Sequence, residues 1–476
     1  MRSTLLTRLV RGCVRTAVRG QHHPVVNVEP FRPLPGKVPR WLSPEEAIET
    51  AGIKSGNKIY VHGGAATPTP LLHCLTDYCR NHQLKNVYLY HVQLLGEVPW
   101  AGPDMLGCMR SECFHISSQL RSAVNEGRAD YTPIFFSELP LLLRSPKHRG
   151  LDMSLIHVSV PDHQGFCSLG TNVDCTRAAL RSSKHIVGLC NPRMPRTFGD
   201  GMIHESHFNA LVYQDTPLLE VRTVVRPETD ESMDTIGSLV AESLVEDGAT
   251  IQIGAGKTPT VVAEKLINHR HLGVHTEMFS DYIIDLIENN AVTNSYKKIY
   301  AGKVAATLCA GTRKLYEYID DNPLFMMSAV DYNNDRSTIR QNPKVTSINT
   351  CVEVDLSGQV CSDSVGQTFY SGHASQIDFM RGANLCDDGA GKAIFAMSST
   401  AKDGSSKIVP LLKHGAGVTT TRGDTNYVVT EYGIAKLRGR NLRQRAYSLI
   451  QIAHPNHQEA LEESAFDILK TMPSPD

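Results

Sequence analysis

The sequence contains no run of about 18 apolar residues, so no membrane-spanning helix is expected. Strong charge of one sign is missing too. The 48 Lys and Arg nearly balance the 49 Asp and Glu, leaving a net charge of −1. That argues against a general attraction to nucleic acid or to an anionic membrane. The 12 cysteines are scattered. The closest pairs, Cys74 with Cys79 and Cys108 with Cys113, lack the two-residue spacing of common zinc sites, and no matching Cys/His partners follow. No metal site is expected, and the thiols read as reduced in a non-secretory compartment. Two nucleotide signatures fail. Gly254-Ala255-Gly256 would need a third glycine at 259 to bind a dinucleotide, and Pro259 stands there. Gly256-Lys257-Thr258 ends like a P-loop, but Ile251 occupies the place of its first glycine. No Ser/His/Asp nucleophile has a recognisable local form.

What is present fits an enzyme-sized globular chain. At 476 residues it is too long for one ordinary core, and two domains are expected. The first residues stand apart. Residues 1–25 carry Arg2, Arg8, Arg11, Arg15 and Arg19, and the first acidic residue is Glu29. Leu5, Leu6, Leu9, Val10 and Val14 can share one face of a helix. Basic, amphipathic and acid-free describes a mitochondrial transit peptide, which implies a matrix location and no part in the fold.

From residue 35 the pattern alternates between strand and helix. Ser43-Pro44-Glu45-Glu46 starts a helix, with Ser as N-cap and Pro at N1. "NKIYVHGGAATPTPLLHCL" reads as strand, glycine turn, helix. "NVYLYHV", "YTPIFF", "LDMSLIHVSV" and "HIVGLC" read as further strands, and "TNVDCTRAALRSS" as a helix. The alternation predicts an α/β fold with a largely parallel sheet. After a charged, Pro-containing hinge, "ATIQIGAGKTPTVVAEKL" repeats the first pattern, and Thr258-Pro259-Thr260 matches Thr67-Pro68-Thr69. The expectation is two similar open α/β domains, 35–225 and 226–476.

Glu277 stands out in "HLGVHTEMFSDYIIDLIENN", between an apolar run and a helical pattern of Phe279, Ile283, Leu286 and Ile287. Two readings compete: a helix-start carboxylate favoured by the macrodipole, or a group that does chemistry. The glycine turns at Gly63-Gly64 and Gly254–Gly256 let backbone approach a bound group closely, or simply make tight turns. Arg381, Lys402, Arg438 and Arg440 are candidates for phosphate contacts or ordinary surface charges.

Several motifs together carry a family resemblance: "HGGAATPTPLL", "GFCSLG", "NPRMPRTFGD", "IQIGAGKTP", "LGVHTEMFSDYIIDL", "INTCVEVDLSGQV", "SGHASQIDFMRGA" and "VVTEYGIAKLRGR". The chain resembles class I coenzyme A transferases, in the acetyl-CoA hydrolase/transferase branch, over about residues 40–465. The resemblance implies two α/β domains with the active site between them, and Glu277 as nucleophile. It implies CoA contacts at Gln252, Ile253, Gly254, Ala255 and Gly256, near Gly372 and Ser375, and near Lys402. Asn333 and Glu431 fall at positions that support the site. It also suggests a homodimer. One departure is visible: the family usually has a glycine pair where this chain has Ala374-Ser375, and the added side chains crowd the region expected to hold CoA.

The chemistry implied is transfer of CoA from an acyl-CoA to a small carboxylic acid of the acetate, butyrate, succinate or 4-hydroxybutyrate class. A carboxylate with a reference pKa of about 4.3 is ionised at neutral pH and needs no general base. Its attack gives an acyl-glutamyl anhydride, then a glutamyl-CoA thioester. Coenzyme A is substrate, and no permanently bound cofactor or metal is required. Two other classes stay open: a hydrolase that lets water attack the same intermediate, and a non-catalytic CoA-binding protein, which would have no use for Glu277.

Overall fold

A computed structural model describes residues 30–145, 150–221, 231–373 and 375–476. The expected transit peptide (1–25), the boundary near 226 and Ala374 lie outside the described residues. The first half builds an eight-stranded sheet. Its spatial order is Arg40–Trp41, Ala210–Tyr213, Ser183–Cys190, Leu151–Val158, Lys58–Val61, Val87–His91, Met109–Cys113, Asp130–Tyr131, and every pairing is parallel. The second half builds a six-stranded sheet in the order Gly273–Val274, Thr250–Ile253, Thr346–Asn349, Lys392–Ala396, Tyr427–Thr430, Gly433–Lys436. Its last pairing alone is antiparallel. The near-continuous apolar runs of the inner strands suit parallel sheets covered on both faces.

Strand, glycine turn and helix recur in each half. Lys58–Val61 leads through Gly63-Gly64 to the helix Thr69–Asn81. Thr250–Ile253 leads through Gly254–Gly256 to the helix Lys257–Lys265. The crossings are alike. A Cβ on Gly63 would lie 2.7 Å from the Gln93 carbonyl oxygen, and one on Gly254 would lie 2.5 Å from Asn349 Oδ1. Both turns run too close to a neighbouring strand end for any side chain. Gly256 adopts φ = 125°, a conformation that favours glycine.

Two expected elements are shorter than read. Of "YTPIFF" only Tyr131 is strand, as the end of Asp130–Tyr131, because Pro133 has no N–H for a ladder, and a 3₁₀ turn, Phe136–Glu138, follows. In "TNVDCTRAALRSS" the helix spans only Thr176–Ser182, while residues 171–175 form an irregular crossing. That crossing binds the halves together: Val173 N–H donates to the Thr307 carbonyl at 2.9 Å. A single buried apolar cluster runs from Tyr60 and Phe114 through Leu169 to Phe279 and Phe325, so the halves share a core.

Candidate active site

The carboxyl ends of strands from both sheets open into one cavity of about 990 Å³. This is where parallel sheets usually take ligands, since backbone groups there are left unpaired. Its wall contains Gly64 and Gln93 from the first half, Asn172 and Asp174 from the crossing, and Glu277. The expected residues Gln252, Ile253, Gly254, Ala255, Gly256, Gly372, Ser375 and Lys402 all line it.

Glu277 does not begin a helix. It precedes the two-residue strand Met278–Phe279, and the helix Tyr282–Glu288 starts later, behind Asp281. The helix-start reading therefore falls. The main chain around Glu277 is tightly held. The Glu277 carbonyl accepts from the N–H groups of Thr307 (3.0 Å) and Leu308 (3.1 Å). Asn333 Nδ2 donates to the Thr276 carbonyl at 2.8 Å. His275 Nε2 reaches the Asn333 carbonyl at 2.7 Å, and Asn342 Nδ2 lies 3.1 Å from His275 Nδ1. Burial pushes His275 down to about 3, so the ring is neutral, with Nε2–H the donor. Lys297 Nζ donates to the carbonyls of Val274 (2.7 Å) and Lys303 (2.6 Å). Asn333 thus holds the main chain next to Glu277 and does not line the cavity.

Glu277 as a residue is half-buried, with its carboxyl turned inward to Ser375. Burial, with the charges of Asp378 and Asp174 adding to it, pushes its pKa up to about 8 against the stabilising Ser375 N–H. The sequence expectation of a plainly ionised carboxylate is thereby corrected: much of Glu277 keeps its proton at neutral pH. Ser375 Oγ donates to Glu277 Oε2. Burial likewise raises Asp378 to about 7, opposed by hydrogen bonds from Ser137. Asp174 accepts from Asn172 Nδ2 at 2.7 Å and from Thr176 N–H and Oγ1, each at 2.8 Å.

The other expected residues take distinct positions. Gln252 is committed to the wall, because its amide is bonded to Asn349 and Ser347. Glu431 stands behind the cavity. Its carboxylate accepts from Ser399 N–H (2.9 Å) and Ser399 Oγ (2.6 Å), bracing the segment that carries Lys402 and Lys407. Arg381, Arg438 and Arg440 are not on the cavity wall. Arg381 pairs with Asp424 at 3.0 Å, and Arg438 bonds to Asn384. The cations that do line the cavity are Arg121, Lys402, Lys407 and Lys413. Sequence reading missed Arg121, Lys407 and Lys413, and also Asn172, Asp174, His115 and Asp378, whose positions depend on crossings between the halves. His115 Nδ1 is buried with no hydrogen-bond partner among the described residues. Among those residues, no group of three or more His, Cys, Asp or Glu could hold a metal, and no helix is long and apolar enough to cross a membrane.

Comparison with known proteins finds two stretches of the chain that match family models. Residues 38–228 match the acetyl-CoA hydrolase/transferase N-terminal domain, and residues 311–465 match the C-terminal domain of the same name. The chain is 50% identical over 448 residues to a succinyl-CoA:acetate/propanoyl-CoA:succinate CoA transferase of Fasciola hepatica, covering 94% of this chain and 92% of that one. It is 41% identical over 423 residues to a 4-hydroxybutyrate coenzyme A transferase of Clostridium kluyveri, covering 89% and 96% respectively. The crystal structure of RipA from Yersinia pestis superposes with a TM-score of 0.84 at 30% identity, covering 91% of this chain and 98% of that one.

Proposed function

Since the chain belongs to the acetyl-CoA hydrolase/transferase family, we propose that it transfers CoA from an acyl-CoA to a small carboxylic acid through a thioester on Glu277. The observation that carries this reading is Glu277 on the wall of a cavity made by both halves. A raised pKa helps rather than hinders. Once ionised, a carboxylate of pKa about 8 is more basic, and so more nucleophilic, than one near 4.3. The volume of about 990 Å³ suits the reactive arm of a large substrate.

The steps keep every atom in account. One oxygen of ionised Glu277 attacks the acyl carbonyl, the carbon–sulfur bond breaks, and CoA leaves as thiolate. The thiolate then adds to Glu277 Cδ, and the acyl group departs as a carboxylate carrying the attacking oxygen. The enzyme holds CoA as a thioester until a second carboxylate runs the sequence backward. The acids in view are acetate, butyrate, succinate and 4-hydroxybutyrate. Hydrolysis through the same Glu277 is the second reading, favoured by the family's own description. The basic, acid-free residues 1–25 support a mitochondrial matrix location. A homodimer is proposed on resemblance alone.

The test mixes protein with acyl-CoA and no acceptor, then adds borohydride. A glutamyl thioester is reduced to an alcohol, changing the mass of the peptide that contains Glu277. Turnover with and without acetate separates transfer from hydrolysis. An unchanged Glu277 peptide in protein that turns over acyl-CoA would sink the covalent reading.

A further inference from the structure

Ser375 opens the helix Gln376–Asn384, and Asp378 follows three residues later. Ser-x-x-Asp at a helix start reads as a capping box, in which the serine hydroxyl accepts from its own helix. Neither side chain does this. Ser375 stands at the N-cap but makes no side-chain bond to the helix. Its hydroxyl donates to Glu277 Oε2 instead. Asp378 is drawn to Ser137, accepting from its N–H at 3.2 Å and its hydroxyl at 2.9 Å. A local cap ordinarily stabilises a helix start. Here it is given up for contacts with residues distant in the chain. Ser375 is 2% exposed, so bulk water does not compete for its hydroxyl.

We infer that the Ser375 hydroxyl is a catalytic hydrogen-bond donor to Glu277 Oε2, stabilising the oxyanion that forms when CoA thiolate adds to Glu277 Cδ. The inference rests on the glutamyl-thioester reading above. In the ionised, reactive form of Glu277, Oε2 is a carboxylate oxygen. After the other oxygen has attacked the acyl group, Oε2 is the carbonyl oxygen of the anhydride. Thiolate addition to Cδ moves an electron pair onto Oε2. Collapse restores the carbonyl and breaks the bond from Cδ to the oxygen that leaves with the acyl carboxylate. No proton is transferred at any point. Ser375 keeps its hydrogen and only donates it, and the donated bond is strongest when Oε2 carries full charge. The same bond, made to the ionised carboxylate, also selects which oxygen of Glu277 faces the acyl carbon.

The experiment measures glutamyl-CoA formation in single turnover, by rapid quench and mass spectrometry, in the wild type, Ser375→Ala and Ser375→Thr. It then records the pH dependence of kcat/KM. Loss of one oxyanion donor costs about a hundredfold or more in rate. Ser375→Ala is expected to form the adduct about a hundredfold more slowly, while KM for acyl-CoA moves less than threefold. Its acid limb should shift to higher pH, because a donor that favours ionised Glu277 is gone. Ser375→Thr keeps the hydroxyl and should recover most of the rate. Should the alanine variant not fold, Ser375→Gly carries the same expectation, since glycine is accepted at an N-cap. A loss under tenfold, or a loss with an unmoved acid limb, overturns the inference. No adduct in the active wild type would overturn the glutamyl-thioester reading itself, and this inference with it.

Discussion

Ser137 gives both its backbone N–H (3.2 Å) and its hydroxyl (2.9 Å) to the carboxylate of Asp378. This contact ties the first half to the helix beside Glu277, and it keeps a second acid in the neighbourhood of the first. Asp378, held near a pKa of about 7, is one reason Glu277 is pushed up to about 8.

Asp378→Asn should therefore lower the pKa of Glu277. Asparagine keeps an oxygen for the Ser137 hydroxyl but carries no charge. The acid limb of kcat/KM should move to lower pH, opposite in direction to the Ser375→Ala shift. A pH–rate profile from about pH 5.5 to 9 reads it, spanning both reference and raised values. An unmoved limb would mean that the charge of Asp378 is not felt at Glu277.

Glu277→Gln should remove nearly all transfer, because a neutral amide is a far poorer nucleophile. Glu277→Asp keeps the charge but withdraws it by one methylene, and a misplacement of about 1 Å costs on the order of a hundredfold. Initial rates with acyl-CoA and acetate decide both. Full activity in a folded Gln variant would return Glu277 to a structural role.

The same Gln variant should be more stable than the wild type at high pH. A carboxyl whose folded pKa (about 8) lies above its unfolded value (about 4.3) holds its proton more tightly in the fold. Its ionisation then costs stability progressively as pH rises through that window, and the cost is absent below about 4.3. Thermal melts at pH 5 and pH 8 should show the advantage of Glu277→Gln widening with pH. A difference that stays constant would contradict the raised pKa.

Asn333→Ala should impair the nucleophile without touching it. The Thr276 carbonyl would lose its 2.8 Å partner, leaving a buried acceptor that costs about 1–3 kcal/mol. We expect kcat to fall about tenfold or more through misplacement of Glu277, with KM little changed and the acid limb in place. Denaturant titration and steady-state kinetics separate the two effects. A fall in stability alone would make Asn333 a purely structural residue.

Removal of residues 1 to about 25 in mitochondria is expected from their arginines and lack of acids. N-terminal sequencing of protein from its native cells checks it. Mature protein that retains Met1 outside the organelle would end the proposal.

The sequence by itself determined the class of fold, through apolar runs alternating with helical periods. It also singled out Glu277 as a candidate, since a specific order of motifs surrounds that residue. The glycine turns were legible too, because their crowding follows from a strand running straight into a helix. Long-range pairing was not legible. The capping pattern of Ser375 and Asp378 reads locally as a self-capped helix, and only the packed halves show both side chains turned to Glu277 and Ser137. Arg381 reads in sequence as either a phosphate contact or a surface charge, and only the fold pairs it with Asp424. The protonation of Glu277 belongs to the same category. Its identity is local, but its pKa is set by burial and by charges 101 and 103 positions away, on Asp378 and Asp174. Desolvation and Coulomb forces act through space, so only the tertiary structure decides which acids share a cavity and how strongly each holds its proton.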